Sequence, residues 1–280
     1  MNFTRHLKKI NETQGSGTKL SYYWLVSTYV LNYWVNRPVL VKLRAGNGYR
    51  KQKKLLYTVM TGEYDHLNEI SRPLRNWDYV CFTDNVHLQS RTWRFEPLKN
   101  ELDLDPVRLS RYYKINNHLV DSDYFLSVYI DANVRIRGNL DNFLSHALPS
   151  GKTLGLMLHP FHASLAEEVK LCVATGKDEA SLLREQFRYY AEEKGFKDLM
   201  PHITGRLIIR RSGDKETQEL METWFSQLLR WSRRDQMAFN YTLAQHPDVT
   251  PHYIPYWIMR CYFKKMDHAQ LLQTPSPPDA

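Results

Sequence analysis

An α/β fold, a mixed central sheet flanked by helices, is what this 280-residue sequence predicts. Three observations carry that expectation. From Lys54 onward, short apolar runs alternate with stretches of helical periodicity, the pattern of strands separated by crossover helices. Those runs end on polar turn formers such as Thr61-Gly62 and Asp84-Asn85, which bond nearby backbone and stop a strand. The chain is long enough to bury one large core, and 42% hydrophobic with 24% charged residues is a soluble globular composition.

Residues 55–60 read as the first strand, with a helix following to about residue 74. Residues 79–83 make the second strand, a short third lies at 92–96, and a helix runs over 106–120. The run 124–130 is the fourth strand and delivers the tripeptide Asp131-Ala132-Asn133. A helix at 140–147, a strand at 153–158 and a long helical region over 164–194 come next. Residues 207–209 form one more strand, 216–230 an amphipathic helix, and another helix starts at Asp235. Beyond it lies an irregular aromatic stretch, closed by a disordered-looking Thr274-Pro-Ser-Pro-Pro-Asp-Ala280. Three parts are expected: a basic aromatic arm over 1–53, the folded domain over 54–265, and a flexible tail over 266–280.

Cys81, Cys172 and Cys261 are odd in number and widely spaced, with no CxxC, which argues against a disulfide framework or a zinc site and fits a reducing, cytoplasmic setting. The net charge of +8 is uneven: residues 1–54 hold eleven Lys or Arg against the one acid Glu12, a local +10. Inside this arm, residues 22–35 are rich in Tyr, Trp and aliphatic side chains. They are too short and too polar to span a bilayer, and no signal-peptide cleavage site is evident. Two readings stay open. The arm lies on an anionic membrane surface, at the inner face, with aromatics at headgroup depth, or it packs on the domain as an extra helix. Nucleic acid is not expected as a partner, because no recognisable module accompanies the charge.

In open α/β sheets ligands sit beyond the carboxyl ends of the strands. The polar residues there are Thr61, Tyr64 and Asp65 after the first strand, Asp84 after the second, Asp131 and Asn133 after the fourth, and His159 after the fifth. Along extended chain, residues i and i+2 point the same way, so Asp131 and Asn133 would face one divalent cation. The competing reading is plain turn chemistry. Arg108, Arg111 and Lys114 recur at spacings of three and share one helix face, suited to neutralising phosphates or to facing solvent.

Taken together, LYTVMTGEYD (56–65), YVCFTD (79–84), RLSRYYKI (108–115) and SVYIDAN (127–133) resemble the glycosyltransferase-like family catalogued as domain of unknown function 616. Its plant members are hexosyltransferase-like proteins linked to cell-wall polysaccharide. The resemblance continues through His159-Pro160, Glu167-Glu168, the 207–210 block and the 232–236 block. It implies a GT-A-like fold, a Rossmann-like nucleotide-binding half fused to an acceptor half, with a nucleotide-sugar donor and a divalent metal, Mn²⁺ or Mg²⁺.

Carried over residue by residue, Asp131 and Asn133 match the Asp-x-Asp motif, with an amide as second ligand. Thr58, Thr61, Gly62 and Tyr64 match the loop that receives base and ribose, and Asp84 the acid beside them. Arg108, Arg111 and Lys114 would meet the donor phosphates. Asp235, with Gln236, matches the acidic helix start that faces the sugar, the catalytic position; as an N-cap it has a structural reading too. Asn240 follows at helical spacing. His252 falls where such enzymes supply a third metal ligand. His159, Glu167 and Glu168 match the acceptor side, although His162, Ser164 and Ala166 replace the Arg, Cys and Tyr frequent there.

The expected function is transfer of a hexose, from a UDP-sugar by preference, to a glycan or glycolipid acceptor in polysaccharide or glycoconjugate synthesis. The alternative is a non-catalytic glycan- or membrane-binding module that kept the fold, motivated by Asn133 and the altered His159 block. A nucleotidyltransferase is disfavoured by the lack of a glycine-rich phosphate loop.

Overall fold

The computed structural model describes residue 31 and residues 47–62, 67–116, 123–160 and 164–266. In chain order its strands are β1 (Lys54–Met60), β2 (Trp77–Thr83), β3 (Arg94–Pro97), β4 (Leu126–Ile130), β5 (Val134–Ile136), β6 (Leu154–Leu158), β7 (Ile203–Arg211), β8 (His252–Ile254) and β9 (Phe263–Lys265). The helices are α1 (Asn47–Lys51), α2 (Pro106–Ile115), α3 (Leu140–Ala147), α4 (Leu165–Ala174), α5 (Ala180–Arg188), α6 (Lys215–Arg230), α7 (Gln236–Ala244) and α8 (Tyr256–Tyr262), with a π-helical turn, Tyr189–Glu193, continuing α5.

Seven strands form one mixed sheet in the order β3-β2-β1-β4-β7-β6-β8, while β5 and β9 make a separate antiparallel ribbon. β1 runs parallel to β2 and β4, β2 to β3, and β6 to β8. β7 is antiparallel to both β4 and β6. The carboxyl ends of the other six strands therefore share one edge, the crest, with the start of β7.

Both faces of the sheet are covered, so β1 is buried along its whole length. Alternation sends Leu56, Val128 and Ile130 to one face, against Phe143, Leu144 and Ile258 from α3 and α8. Tyr57, Tyr129 and Ile208 go to the other, against Trp224 of α6 and Phe239 of α7. A satellite core joins α4, α5 and the π turn to Met237. At the foot of β1 the fully buried Lys54 donates to Tyr49 O of α1 and to Gln52 O at 2.6 Å, and sits 3.4 Å from Asp141 of α3, tying α1 to the domain.

Several expectations are corrected. Residues 67–74 are irregular rather than helical, because neighbouring side chains take their backbone amides: Ile70 N donates to Thr92 Oγ1 at 3.1 Å and Leu74 N to the Tyr79 hydroxyl at 2.9 Å. The helical region over 164–194 is broken just after α4 by Gly176, whose φ of 59° only glycine adopts freely. The irregular aromatic stretch folds as β8, α8 and β9. α8 buries Tyr256, Ile258, Met259, Cys261 and Tyr262, so it shows no amphipathic stripe. The aromatic segment 22–35, residue 31 apart, and the tail over 274–280 lie outside the described residues.

Arg210 of β7 is 4% exposed and faces no carboxylate among the described residues. Its guanidinium instead donates to the α2 carbonyls of Lys114, at 2.8 Å, and Ile115, and to the Tyr57 hydroxyl, which itself donates to Lys114 O at 2.8 Å. A cation at the negative end of the helix completes the carbonyls that the helix leaves open. Arg210→Met should cost about 2–4 kcal/mol by stranding these acceptors. Urea denaturation measures it, and an unchanged midpoint would refute this capping role.

Candidate functional site

Three loops meet at the crest. After β1, Gly62 takes a left-handed φ of 62° and donates its N–H to Asp84 Oδ1 at 2.8 Å, which draws Thr61, Gly62 and Asp84 together. Thr58, expected in that loop, is instead inside β1 and fully buried. Tyr64 lies outside the described residues.

After β4 the chain turns at once: Val134 N donates to Asp131 O at 2.9 Å, closing a turn over 131–134. This overturns the extended-chain geometry expected of Asp131 and Asn133. The Asp131 side chain is 33% exposed, whereas Asn133 is only 3% exposed and turned into the protein. Asp131 Oδ1 accepts the Tyr129 hydroxyl at 3.0 Å. Burial, and then Asp131, push the Tyr129 hydroxyl well above its ordinary pKa, so it remains a donor.

Beneath Asp131 lies a buried layer of charge. Lys114, on the last turn of α2, points its Nζ to 4.0 Å from Asp131 Oδ1 and makes a short ion pair with Asp235 Oδ2. Arg111 Nε is 3.7 Å from the same oxygen. Burial alone would raise the Asp235 pKa; the Lys114 ammonium, then Arg111 and Arg234, overcome it and hold the carboxyl well below the usual carboxylate range. Asp235 also accepts the Gln236 N–H at 3.1 Å, and its carbonyl takes Trp224 Nε1 at 2.8 Å. The pair presses on β7, where a Cβ on Gly205 would lie 2.5 Å from Asp235 Oδ2 and 2.6 Å from Lys114 Nζ. A glycine inside a strand marks such a close approach.

The layer continues into α4 and the start of β7. Arg234 donates to Gln236 Oε1 at 3.0 Å and to Glu168 Oε1 at 3.4 Å. His202 Nε2 is 3.8 Å from Glu168 Oε2, and Cys172 Sγ donates to Glu168 Oε1 at 3.3 Å. Burial, then Glu168, push the Cys172 thiol up to about 12, so it stays protonated. Glu168 is buried, while Glu167 on the next position is half-buried. His159 ends β6, with its N–H on His202 O at 2.8 Å and its ring 5.6 Å from that of His202.

Not every expected residue joins this site. Arg108 shares the helix face of Arg111 and Lys114, yet it closes the end of α6, donating to Leu228 O at 2.9 Å and Trp231 O at 3.0 Å, and pairs with Asp105 at 2.8 Å. Gln236 braces β7 by donating to Ile203 O at 2.9 Å. Asn240 is likewise committed, to Asp198 Oδ1 at 2.8 Å. Asp235, expected to face the sugar, has a side chain only 4% exposed, locked to two cations. His252 pairs with Gly155 near the start of β6 and bonds His146 O at 3.1 Å. It stands three strands from β4, roughly 14 Å at sheet spacing, and cannot share a cation with Asp131. Arg234, His202 and Gly205 were not expected; the signals for them were the charge beside Asp235 and a glycine within an apolar strand.

Among the described residues no three His, Cys, Asp or Glu side chains converge on a common point suited to a metal. The accessible carboxylates at the crest are Asp131 and, beside Gly62, the exposed Asp84. Asp131 fits a Mg²⁺ or Mn²⁺ held jointly with substrate phosphates and water, as such ions commonly are.

A family model described as TOD1/MUCI70, glycosyltransferase-like domain, matches residues 79–268. No curated protein matches the chain. Among solved structures, the apo structure of WbbM, a bifunctional glycosyltransferase, aligns at 11% identity and a TM-score of 0.44, over 75% of this chain and 40% of that one. The chain spans well under half the length of that structure. The family match extends from the second strand through Asp84, Asp131 and Asp235 to the ribbon, and it covers more than half of the sequence: the chain belongs to the TOD1/MUCI70 glycosyltransferase-like family.

Proposed function

We propose that this protein transfers a hexose from a nucleotide-sugar, a UDP-sugar by preference, to a glycan or glycolipid acceptor in polysaccharide or glycoconjugate synthesis. The observation that carries this reading is the accessible carboxylate of Asp131 at the carboxyl edge of the parallel strands, above buried cations. That edge is where open α/β sheets receive ligands.

Thr61, Gly62 and Asp84 would take the base and ribose, and Asp131 the diphosphate side. A Mg²⁺ or Mn²⁺ shared by Asp131 and the donor would supply neutralisation of the leaving charge. Arg111 and Arg234, with side chains 21% and 25% exposed, are the cations of the layer best able to touch a phosphate. Asp235 acts as a positioning residue: being ionised and buried, it fixes Lys114 and Arg111 in place. His159 and Glu167 border the acceptor side.

The test is to incubate the protein with a panel of nucleotide-sugars with and without Mn²⁺, and to titrate UDP by calorimetry. Turnover or transfer from one donor is expected. Absence of both turnover and nucleotide binding would leave the non-catalytic reading, which the burial of Asn133 favours.

For the basic arm we propose contact with an anionic membrane surface from the cytoplasmic side. Deleting residues 1–46, which spares α1, should release the protein from phosphatidylserine liposomes while its thermal transition is kept. A truncated chain that no longer folds would instead make the arm a packing element.

A further inference from the structure

The geometry points to a second site, a basic pocket around the β5–β9 ribbon that binds an acidic oligosaccharide, one bearing carboxylate or sulfate groups on successive sugars. The pocket has a volume of about 750 Å³, and Arg72, Arg135, Arg137, Arg260 and Lys264 line it, with no Asp or Glu among its described lining residues. All five cations are exposed. No ion pair to a described carboxylate engages Arg72, Arg135, Arg137 or Lys264.

Their arrangement is electrostatically costly. Arg135 stands directly opposite Lys264 in the register of the ribbon, and like charges facing each other across strands destabilise the pairing. Arg137 adds a third cation two positions on. Some exposed cations elsewhere do meet a carboxylate: Lys53 meets Asp78, Arg94 meets Glu96 and Arg233 meets Asp178. The N-cap of α3, Asn139, also lines the pocket and presents the positive end of that helix there. An anion is what relieves such a set.

The concavity and the position choose the kind of anion. A flat lipid surface would meet a concave pocket of this volume poorly, whereas a chain of sugars can lie along it. Arg135 follows Asp131 by four residues, so backbone reach limits their separation to roughly 14 Å. A few sugar units bridge that distance, which makes the pocket a holding site for an acidic acceptor whose end lies at the crest. The saccharide nature of the ligand rests on the proposed glycosyltransferase function; the charge argument does not.

Binding of a heparin octasaccharide and of an oligogalacturonate, against a neutral dextran of equal length, should be titrated calorimetrically with the full chain. Acidic chains are expected to bind, more weakly as salt screens the charges, and dextran is not. Arg135→Glu with Arg137→Glu should weaken binding by roughly tenfold or more, since attraction becomes like-charge repulsion. Lys177→Glu with Arg184→Glu, an equal charge change on exposed residues elsewhere, should leave it nearly unchanged. Equal loss in both pairs, no preference over dextran, or binding to phosphatidylserine vesicles alone would overturn the proposal. UDP affinity measured on the same variants separates the two claims: acidic chains that bind a protein without donor affinity would sink the transferase reading and keep the pocket.

Discussion

Asp235→Ala is expected to destabilise the fold by about 3–5 kcal/mol, the range for removing one partner of a buried ion pair. Lys114 is 2% exposed, burial already lowers its pKa, and it would be left with no carboxylate within contact distance other than Asp131 at 4.0 Å. Arg111 and Arg234 would lose the same partner. Lys114→Met with Asp235→Leu should recover much of the loss, because both charges leave together, and a double-mutant cycle in urea reads the coupling. The pH dependence has a fixed sign. A carboxyl whose folded pKa is depressed stabilises above its unfolded pKa of about 3.9 and loses that contribution as pH falls toward the folded value. Asp235→Asn should therefore flatten the acid limb of stability below about pH 4; superimposable limbs would show that the pair contributes nothing.

Asp131→Asn is expected to lower kcat/KM by about 10²–10³, the scale of removing one charged group that meets developing charge. Stability should change little, since the side chain is one-third open to solvent and an amide oxygen can still accept the Tyr129 hydroxyl. Kinetics on the donor found in the panel, together with a thermal melt, separate the two effects. Full activity in this variant would move the donor site away from the end of β4. A fall in Tm of the size expected for Asp235→Ala would show that Asp131 belongs to the buried layer instead.

The strands were legible because a sheet covered on both faces writes itself as apolar runs. β1, β2, β4 and β6 lie within one or two residues of their expected bounds, and α3 falls on its expected residues. The three-residue β5 and the ribbon it forms with β9 were too short to leave a pattern. At the site, Asp131 could be read from its place at a strand end. Its relation to Asn133 could not, because a single hydrogen bond, Val134 N to Asp131 O, decides between extended chain and turn. The spacing of Arg108, Arg111 and Lys114 gave a shared helix face correctly. Each of them also meets a residue more than a hundred positions away, Leu228 and Trp231 for Arg108 and Asp235 for the other two, and periodicity carries no information about that. The burial of Asp235 against its cations and the place of His252 three strands from β4 were not legible, because local sequence reports neither burial nor strand order.

The glycine at 205 carries a consequence for how the chain reaches its fold. β7 is the one strand of the main sheet that enters reversed, and it must find β4 and β6 after the intervening helical segment of α4, α5 and the π turn. A slip of one residue would present Thr204 or Arg206 to the space that Lys114 and Asp235 occupy. Because a slip also turns every side chain to the opposite face, such a pairing would combine a clash with a stranded charge. The ion pair thus proof-reads the pairing of β7. Gly205→Val should accordingly slow refolding and populate misregistered species, visible in hydrogen exchange as lost protection of β4 and β6 amides; unaltered protection would remove the pair from that role.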